Sequence, residues 1–299
     1  MPSLREIRQK IRAVGAQQRI FKAMKMIAAA RMRKSQSAIL AARPFAIKME
    51  QLVRELALRG GRDESGLVQS LHHPFFEARP EDGPVALVLV TADKGLCGAF
   101  NANLIRGATE WFKAHRSRKV YMVAVGRKGR DFLHRIRGFD FEILNEMAGV
   151  FPKVHFSHAE ILGKTLIDAF EEKKLSKVSV LYNEFKSVAA QKLVNVQILP
   201  VPPFSQSERA DSLADYGFEP GQEELLSALL PRYIKAQLYR ILLESQAAEL
   251  AARMNAMDAA SKNAKELRET LNLGLNRQRQ AIITKEIAEL VGGAEALAA

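Results

Sequence analysis

The chain has 299 residues, 47% hydrophobic and 26% charged, with a formal charge of +12 and one cysteine. That composition holds one or two domains with a real core and excludes wholesale disorder. The lone Cys97 excludes an intramolecular disulfide, and the longest strongly apolar run, Val85 to Val90, is too short to cross a bilayer.

Met1 leads directly into Leu4-Arg5-Glu6-Ile7, without an apolar signal core or an Arg/Ser-rich leader. The expectation is a bacterial protein on the cytoplasmic side that reaches the membrane only through partners. Its charge is unevenly placed. Residues 1–59 hold 14 Lys/Arg against 3 Asp/Glu, whereas residues 221–299 hold 10 of each sign. The basicity belongs to the N-terminal segment.

That segment, 1–59, reads as one long helix over roughly 2–58. Leu4, Ile7, Ile11, Val14, Gln18, Phe21, Lys25 and Ala28 step by three and four, the spacing of a coiled-coil seam. Ile20, Met24 and Ile27 form a second apolar stripe beside it. Pro44 is expected to kink the helix or mark a joint near Arg43. Gly60-Gly61 is expected to end it, followed by a polar loop through Ser65 and Gly66.

The middle segment, 84–205, has an α/β rhythm. Val85–Thr91, Val120–Val125 and Val178–Asn183 are short β-branched runs suited to buried strands. Leu193–Leu199 alternates and stops at Pro200, which suits a strand nearer an edge. Helical stretches near 102–116, 127–136 and 158–173 separate the first three strands, as in a mostly parallel, Rossmann-like sheet. Residues 201–221, with Pro202-Pro203, read as a linker.

The last segment, 219–299, contains a helical pattern over about 222–296. Its seam runs Ile234, Leu238, Ile241, Ser245, Ala248, Ala252, Asn255, Ala259, then Leu267, Leu271, Leu275, Gln278 and Ile282 after a stutter. Unbroken helices of these lengths would reach about 85 Å and about 110 Å. Rods at both chain ends indicate an antiparallel coiled coil built from the termini, with the α/β domain inserted between them.

Chemistry-bearing motifs are weak. Gly163-Lys164-Thr165 resembles the end of a phosphate loop, but His158 stands where its leading glycine belongs, and the triplet lies in an amphipathic pattern. Gly126-Arg127-Lys128-Gly129 follows a strand and opens a helix, where an anion could sit, without the full dinucleotide spacing. Asp93, Lys94 and Cys97 lie after the first strand, yet no histidine is near in sequence, so the loop reads as structural. His155 and His158 lack a third ligand at recognisable spacing. No catalytic residue, cofactor or metal is assigned.

The basic helix has three readings: a solvated face, a nucleic-acid surface, or a rod inside an acidic protein partner. Its few acids argue against the first. Phe21 and Phe45, its only aromatics, argue against a stacking platform for nucleic acid.

Particular stretches resemble a known family. Ile7-Arg-Gln-Lys-Ile11 and Phe21-Lys-Ala-Met-Lys-Met-Ile-Ala-Ala29 are similar to the opening helix of ATP synthase gamma subunits, except that Phe21 stands where Thr is expected. Asp93-Lys-Gly-Leu-Cys-Gly98 resembles their central loop. Arg253-Met-Asn-Ala-Met-Asp-Ala-Ala260, Arg279-Gln-Ala-Ile-Ile-Thr-Lys-Glu-Ile287 and Glu289-Leu-Val-Gly-Gly-Ala-Glu-Ala-Leu297 resemble their last helix. The resemblance implies a noncatalytic rotor in the central stalk. Its partners would be three alpha and three beta subunits, the epsilon subunit and the membrane c-ring, with no nucleic acid. It carries coupling contacts with the alpha/beta ring to Met24, Lys25, Arg253, Gln280, Thr284 and Glu286. For Met24, packing within the coil is an equally good reading.

Overall fold

A computed structural model describes residues 3–59, 73–77, 79–151, 153–202 and 221–298. The expected loop at Ser65 and Gly66, and residues 203–220 of the expected linker, lie outside the described residues. Two compact units result, one formed by residues 1–29 with 253–299 and the other by residues 30–252. The boundary falls within both terminal helices.

The larger unit is built on a five-stranded sheet in the order β3-β2-β1-β4-β5. The strands are β1 (Val85–Val90), β2 (Val120–Val125), β3 (Glu142–Met147), β4 (Lys177–Phe185) and β5 (Gln191–Leu199). The first four are mutually parallel, and β5 returns antiparallel to β4 at the edge. Helices α2 (Phe100–Ala114), α3 (Arg127–Leu133) and α4 (Phe156–Glu172) make the crossovers. Strand β3 is the element that sequence patterning did not anticipate. Its residues are mostly half-buried and it forms the other edge, so it lacks the continuous apolar run of β1 and β2.

The period of two along the strands divides the core between the two faces of the sheet. Val88, Val123 and Val180 face α4 and the stretches of the terminal helices within this unit, against Leu162, Leu166, Leu238 and Val53. Leu87, Leu89 and Met122 face α2 and α3, against Leu104, Phe112 and Leu133. Helix α4 approaches the C-terminal helix closely at Gly163, where a Cβ would lie 2.7 Å from Lys235 Cγ. The Gly163-Lys164-Thr165 triplet is therefore mid-helix packing.

The terminal helices are α1 (Leu4–Arg59) and α5 (Gln222–Ala298). Pro44 lies inside α1, which continues through it as a single element, contrary to the joint expected near Arg43. Proline removes one N–H donor, and the long helix retains enough other hydrogen bonds to continue.

In the smaller unit the two helices run antiparallel. Lys25 lies opposite Asp258, and Gly15 opposite Arg268. Ile7 and Ala28 are the buried residues of the expected α1 seam, while Ile20 and Ile27 of the second stripe are exposed. On α5 the seam differs from expectation. Met257 and Ala264 are buried, whereas Asn255 and Ala259 are exposed. The inward positions run Met257, Ser261, Ala264, Arg268, Leu271, Leu275 and Gln278 in unbroken heptad steps, with no stutter. Alanines at 252, 256, 259 and 260 make several phases equally apolar, which is why the pattern alone misplaced it.

Candidate functional site: the sheet rim and the coil surface

An open parallel sheet binds ligands at the carboxyl ends of its strands, so this rim is the first candidate. Here the protein fills it with its own groups. Asp93, just beyond β1, is buried and accepts three backbone hydrogen bonds. Arg127 N and Gly149 N donate to Oδ1 at 2.9 and 2.8 Å, and Phe151 N donates to Oδ2 at 2.9 Å. The remaining amides that open α3 are also engaged. Lys128 N donates to Ala92 O at 3.1 Å, and Gly129 N to Thr91 Oγ1 at 2.6 Å. Gly126 N donates to Met147 O at 2.8 Å. The anion position considered at Gly126-Arg127-Lys128-Gly129 is thus occupied by the Asp93 carboxylate.

The loop from Asp93 to Asn101 is braced from within. Asn101 Oδ1 accepts from Ala92 N at 3.0 Å, and its Nδ2 donates to Cys97 Sγ at 3.1 Å. Cys97 is buried. Asp93, Lys94 and Cys97 form no base, cation and nucleophile arrangement: Asp93 holds amides, Cys97 packs inward, and Lys94 faces solvent.

His155 and His158 sit at the start of α4. His155 N donates to His158 Nδ1 at 3.0 Å, so the pair closes a helix end. No group of three or more metal-ligating side chains occurs among the described residues. Burial, with His155 beside it, lowers the pKa of His158 below the usual histidine value. Protonation also removes the Nδ1 acceptor. A lowered folded-state pKa gives a contribution that is complete above the unfolded value and lost as pH falls through the folded one. The melting temperature of the free chain is therefore expected to drop below about pH 6.5. In His158→Gln, where the amide oxygen keeps the acceptor, that part of the slope should disappear. An unchanged slope by circular dichroism would refute the assignment.

The six expected contact residues are dispersed along the coil. Met24 is half-buried. Lys25 Nζ pairs with Asp258 Oδ1 at 2.5 Å across the two helices, and Lys262 reaches the other oxygen at 3.1 Å. These ammonium groups, Lys25 first, hold the Asp258 carboxyl below its usual pKa. Lys25 is thus engaged inside its own coil, a partner 233 residues away that sequence reading did not supply. Arg253 is half-buried, whereas Gln280, Thr284 and Glu286 are all exposed. Gln280 and Thr284, four apart, share a helix face; Glu286 points away from it.

The antiparallel register exhausts α1 just past Gln278. Every residue from Arg279 through Ala294 is exposed, including Ile282, Ile283, Ile287, Leu290 and Val291. An amphipathic partner face would be needed to cover such a helix. No helix among the described residues is long and apolar enough to cross a membrane.

The ATP synthase family model matches residues 3–297. The ATP synthase gamma chain of Elusimicrobium minutum is 45% identical, over 99% of each chain. That of Desulfitobacterium hafniense is 42% identical, over 99% of this chain and 100% of its own. The chain belongs to the ATP synthase gamma-chain family. Among solved structures, a chain of the Euglena gracilis mitochondrial ATP synthase (OSCP/F1/c-ring, rotational state 3) has a TM-score of 0.66 at 19% identity. The match covers 98% of this chain and 94% of that one. A chain from the central stalk and c-ring of the Tetrahymena thermophila mitochondrial ATP synthase has a TM-score of 0.59 at 24% identity, covering 81% and 99%. These establish a shared fold. Within the gamma-chain family, the filled rim and the exposed end of α5 become the features to explain.

Proposed function

We propose that the chain is the rotor of an F-type ATP synthase, carrying torque between a proton-driven c-ring and an alpha/beta catalytic head. Membership of the gamma-chain family makes it a central-stalk subunit engaged in ATP synthesis. The observation that carries the mechanical reading is the end of α5, a single helix with five large apolar side chains in water. A surrounding sleeve of alpha and beta subunits would bury them. The basic half of α1 suits acidic surfaces on that sleeve. In this reading segments 1–59 and 219–299 form the shaft, and 84–205 forms the foot that meets epsilon and the c-ring.

Catalysis belongs to beta on this account, and the chain binds no nucleotide of its own. The Asp93 carboxylate supports that view, because it consumes the amides that a phosphate would require. Met24, Arg253, Gln280, Thr284 and Glu286 remain proposed ring contacts. Lys25 acts first as a strut between the helices. The complex sits peripherally on the cytoplasmic face of a bacterial plasma membrane, and this subunit inserts no helix.

The test is to combine the full chain with alpha and beta subunits and measure ATP hydrolysis. Assembly of a head complex with raised turnover is expected. Absence of assembly would overturn the proposal.

A further inference from the structure

Helix α5 packs against the inserted domain through a repeating ladder. Leu226, Leu230, Ile234, Leu238 and Leu242 stand at four-residue intervals, and all are fully buried. They share one core cluster with Val178, Val180 and Tyr182 of β4. Apolar burial is non-directional, so a ladder of near-identical rungs does not define a unique position. A slip of four residues would replace each rung by an aliphatic neighbour of similar size. It would move α5 about 6 Å along its axis and turn it about 40°. Something other than burial must select the observed register.

Two contacts break the repeat. Tyr182, 2% exposed, donates its hydroxyl to Glu244 Oε2 at 3.0 Å, linking β4 to α5. Glu244 is held from its other oxygen, since Arg240 Nη1 donates to Oε1 at 3.1 Å. Arg240 is itself steadied by Gln237 Oε1, which accepts from Nε at 3.1 Å. Burial, with the Glu244 carboxylate beside it, raises the Tyr182 pKa, so the hydroxyl stays a donor. A four-residue slip would set Arg240 or Ala248 in place of Glu244, and neither side chain has an acceptor to offer. The second contact is at Gly163 of α4, where the absent Cβ makes room for the Lys235 stem. Positions 235 and 244 lie about 14 Å apart along the helix, so the two contacts resist twist as well as slide.

We propose that Tyr182 is a positioning residue, fixing the α/β foot to the shaft in one register through its hydrogen bond to Glu244. The inference rests on the rotor reading and adds to it the place where the foot is keyed to α5. Removal of the hydroxyl leaves the apolar ladder intact but degenerate. Slipped registers, in which the shaft is turned about 40° from the foot, then gain about tenfold in population. Tyr182 lies beneath the surface, so its loss acts on this joint and not on a partner's contact.

The test compares the parent with Tyr182→Phe and Val88→Ala, each as the full chain in two assemblies. Val88 is fully buried in the same cluster, so its truncation lowers stability without touching the key. With alpha and beta subunits alone, both variants should activate ATP hydrolysis as the parent does, because no load reaches the foot. In vesicles holding the complete complex, ATP synthesis driven by an imposed proton gradient should separate them. Tyr182→Phe should fall to about half the parental rate or less, whereas Val88→Ala should keep that rate despite its lower melting temperature. Parental synthesis by Tyr182→Phe would overturn the proposal. So would an equal loss in Val88→Ala, since synthesis would then follow stability alone. Loss of head hydrolysis in Tyr182→Phe would overturn it too, because that assay does not load the joint. A parent that fails to assemble with alpha and beta counts against the rotor reading itself, and the key falls with it.

Discussion

Asp93→Ala is expected to lower the melting temperature of the free chain by about 8–15 °C. The substitution leaves three amide groups, those of Arg127, Gly149 and Phe151, facing a void where a carboxylate had been. Buried donors without a partner cost about 1–3 kcal/mol each, and water entering the void offsets part of the sum, leaving about 3–5 kcal/mol. Asp93→Asn should fall between variant and parent. Its oxygen can still accept, but its NH2 is set against a donor that needs an acceptor. Calorimetry checks the size of the effect, and hydrogen exchange at the three amides checks its location. A drop under about 2 °C, or unchanged exchange at all three, would show that the carboxylate does not hold the rim together.

The reach of that carboxylate explains why the sequence revealed only part of the site. Asp93 is 34 residues from Arg127, 56 from Gly149 and 58 from Phe151. Its loop could be read as structural from its glycines and from the lack of a neighbouring base. Nothing local indicated which groups it tied together. The same limit applies to Lys25. A cation in a segment so poor in acids reads as unpaired, and the partner Asp258 becomes visible only when the helices are laid antiparallel.

Where the physics is local, the fold was legible. Continuous β-branched runs mark β1, β2 and most of β4, because strands covered on both faces need apolar residues at every position. Strand β3 escaped because an edge strand with the sequence Glu-Ile-Leu-Asn-Glu-Met carries no such run. The α1 seam was legible because large residues mark it at intervals of three and four. The α5 seam was not, since alanine suits both a buried and an exposed position. There the Lys25–Asp258 and Gly15–Arg268 pairs decide the phase.

Gly126→Ala should have an effect at least as large as the loss of Asp93, with little or no folded protein recovered. Gly126 has φ 91°, outside the range that side-chain-bearing residues adopt at low cost. A Cβ there would lie 2.1 Å from Thr91 O and 2.7 Å from Thr91 C. These are backbone atoms, and they cannot easily retreat. Thr91 N donates to Val125 O at 2.8 Å, and Thr91 Oγ1 accepts from Gly129 N at 2.6 Å. Any shift would break the junction of β1 with β2 and move the amide of Arg127 away from Asp93. The combined strain and lost hydrogen bonds amount to about 4–5 kcal/mol, comparable to the whole stability of many domains. Gly95→Ala is the control, because a Cβ at Gly95 meets nothing within 4 Å, and its change should stay within about 1 kcal/mol. Soluble yield and thermal melts of both variants decide the matter. Should Gly126→Ala melt within a few degrees of the parent, the turn must be able to move, and Asp93 would not hold the amides of Arg127, Gly149 and Phe151 in a fixed rim.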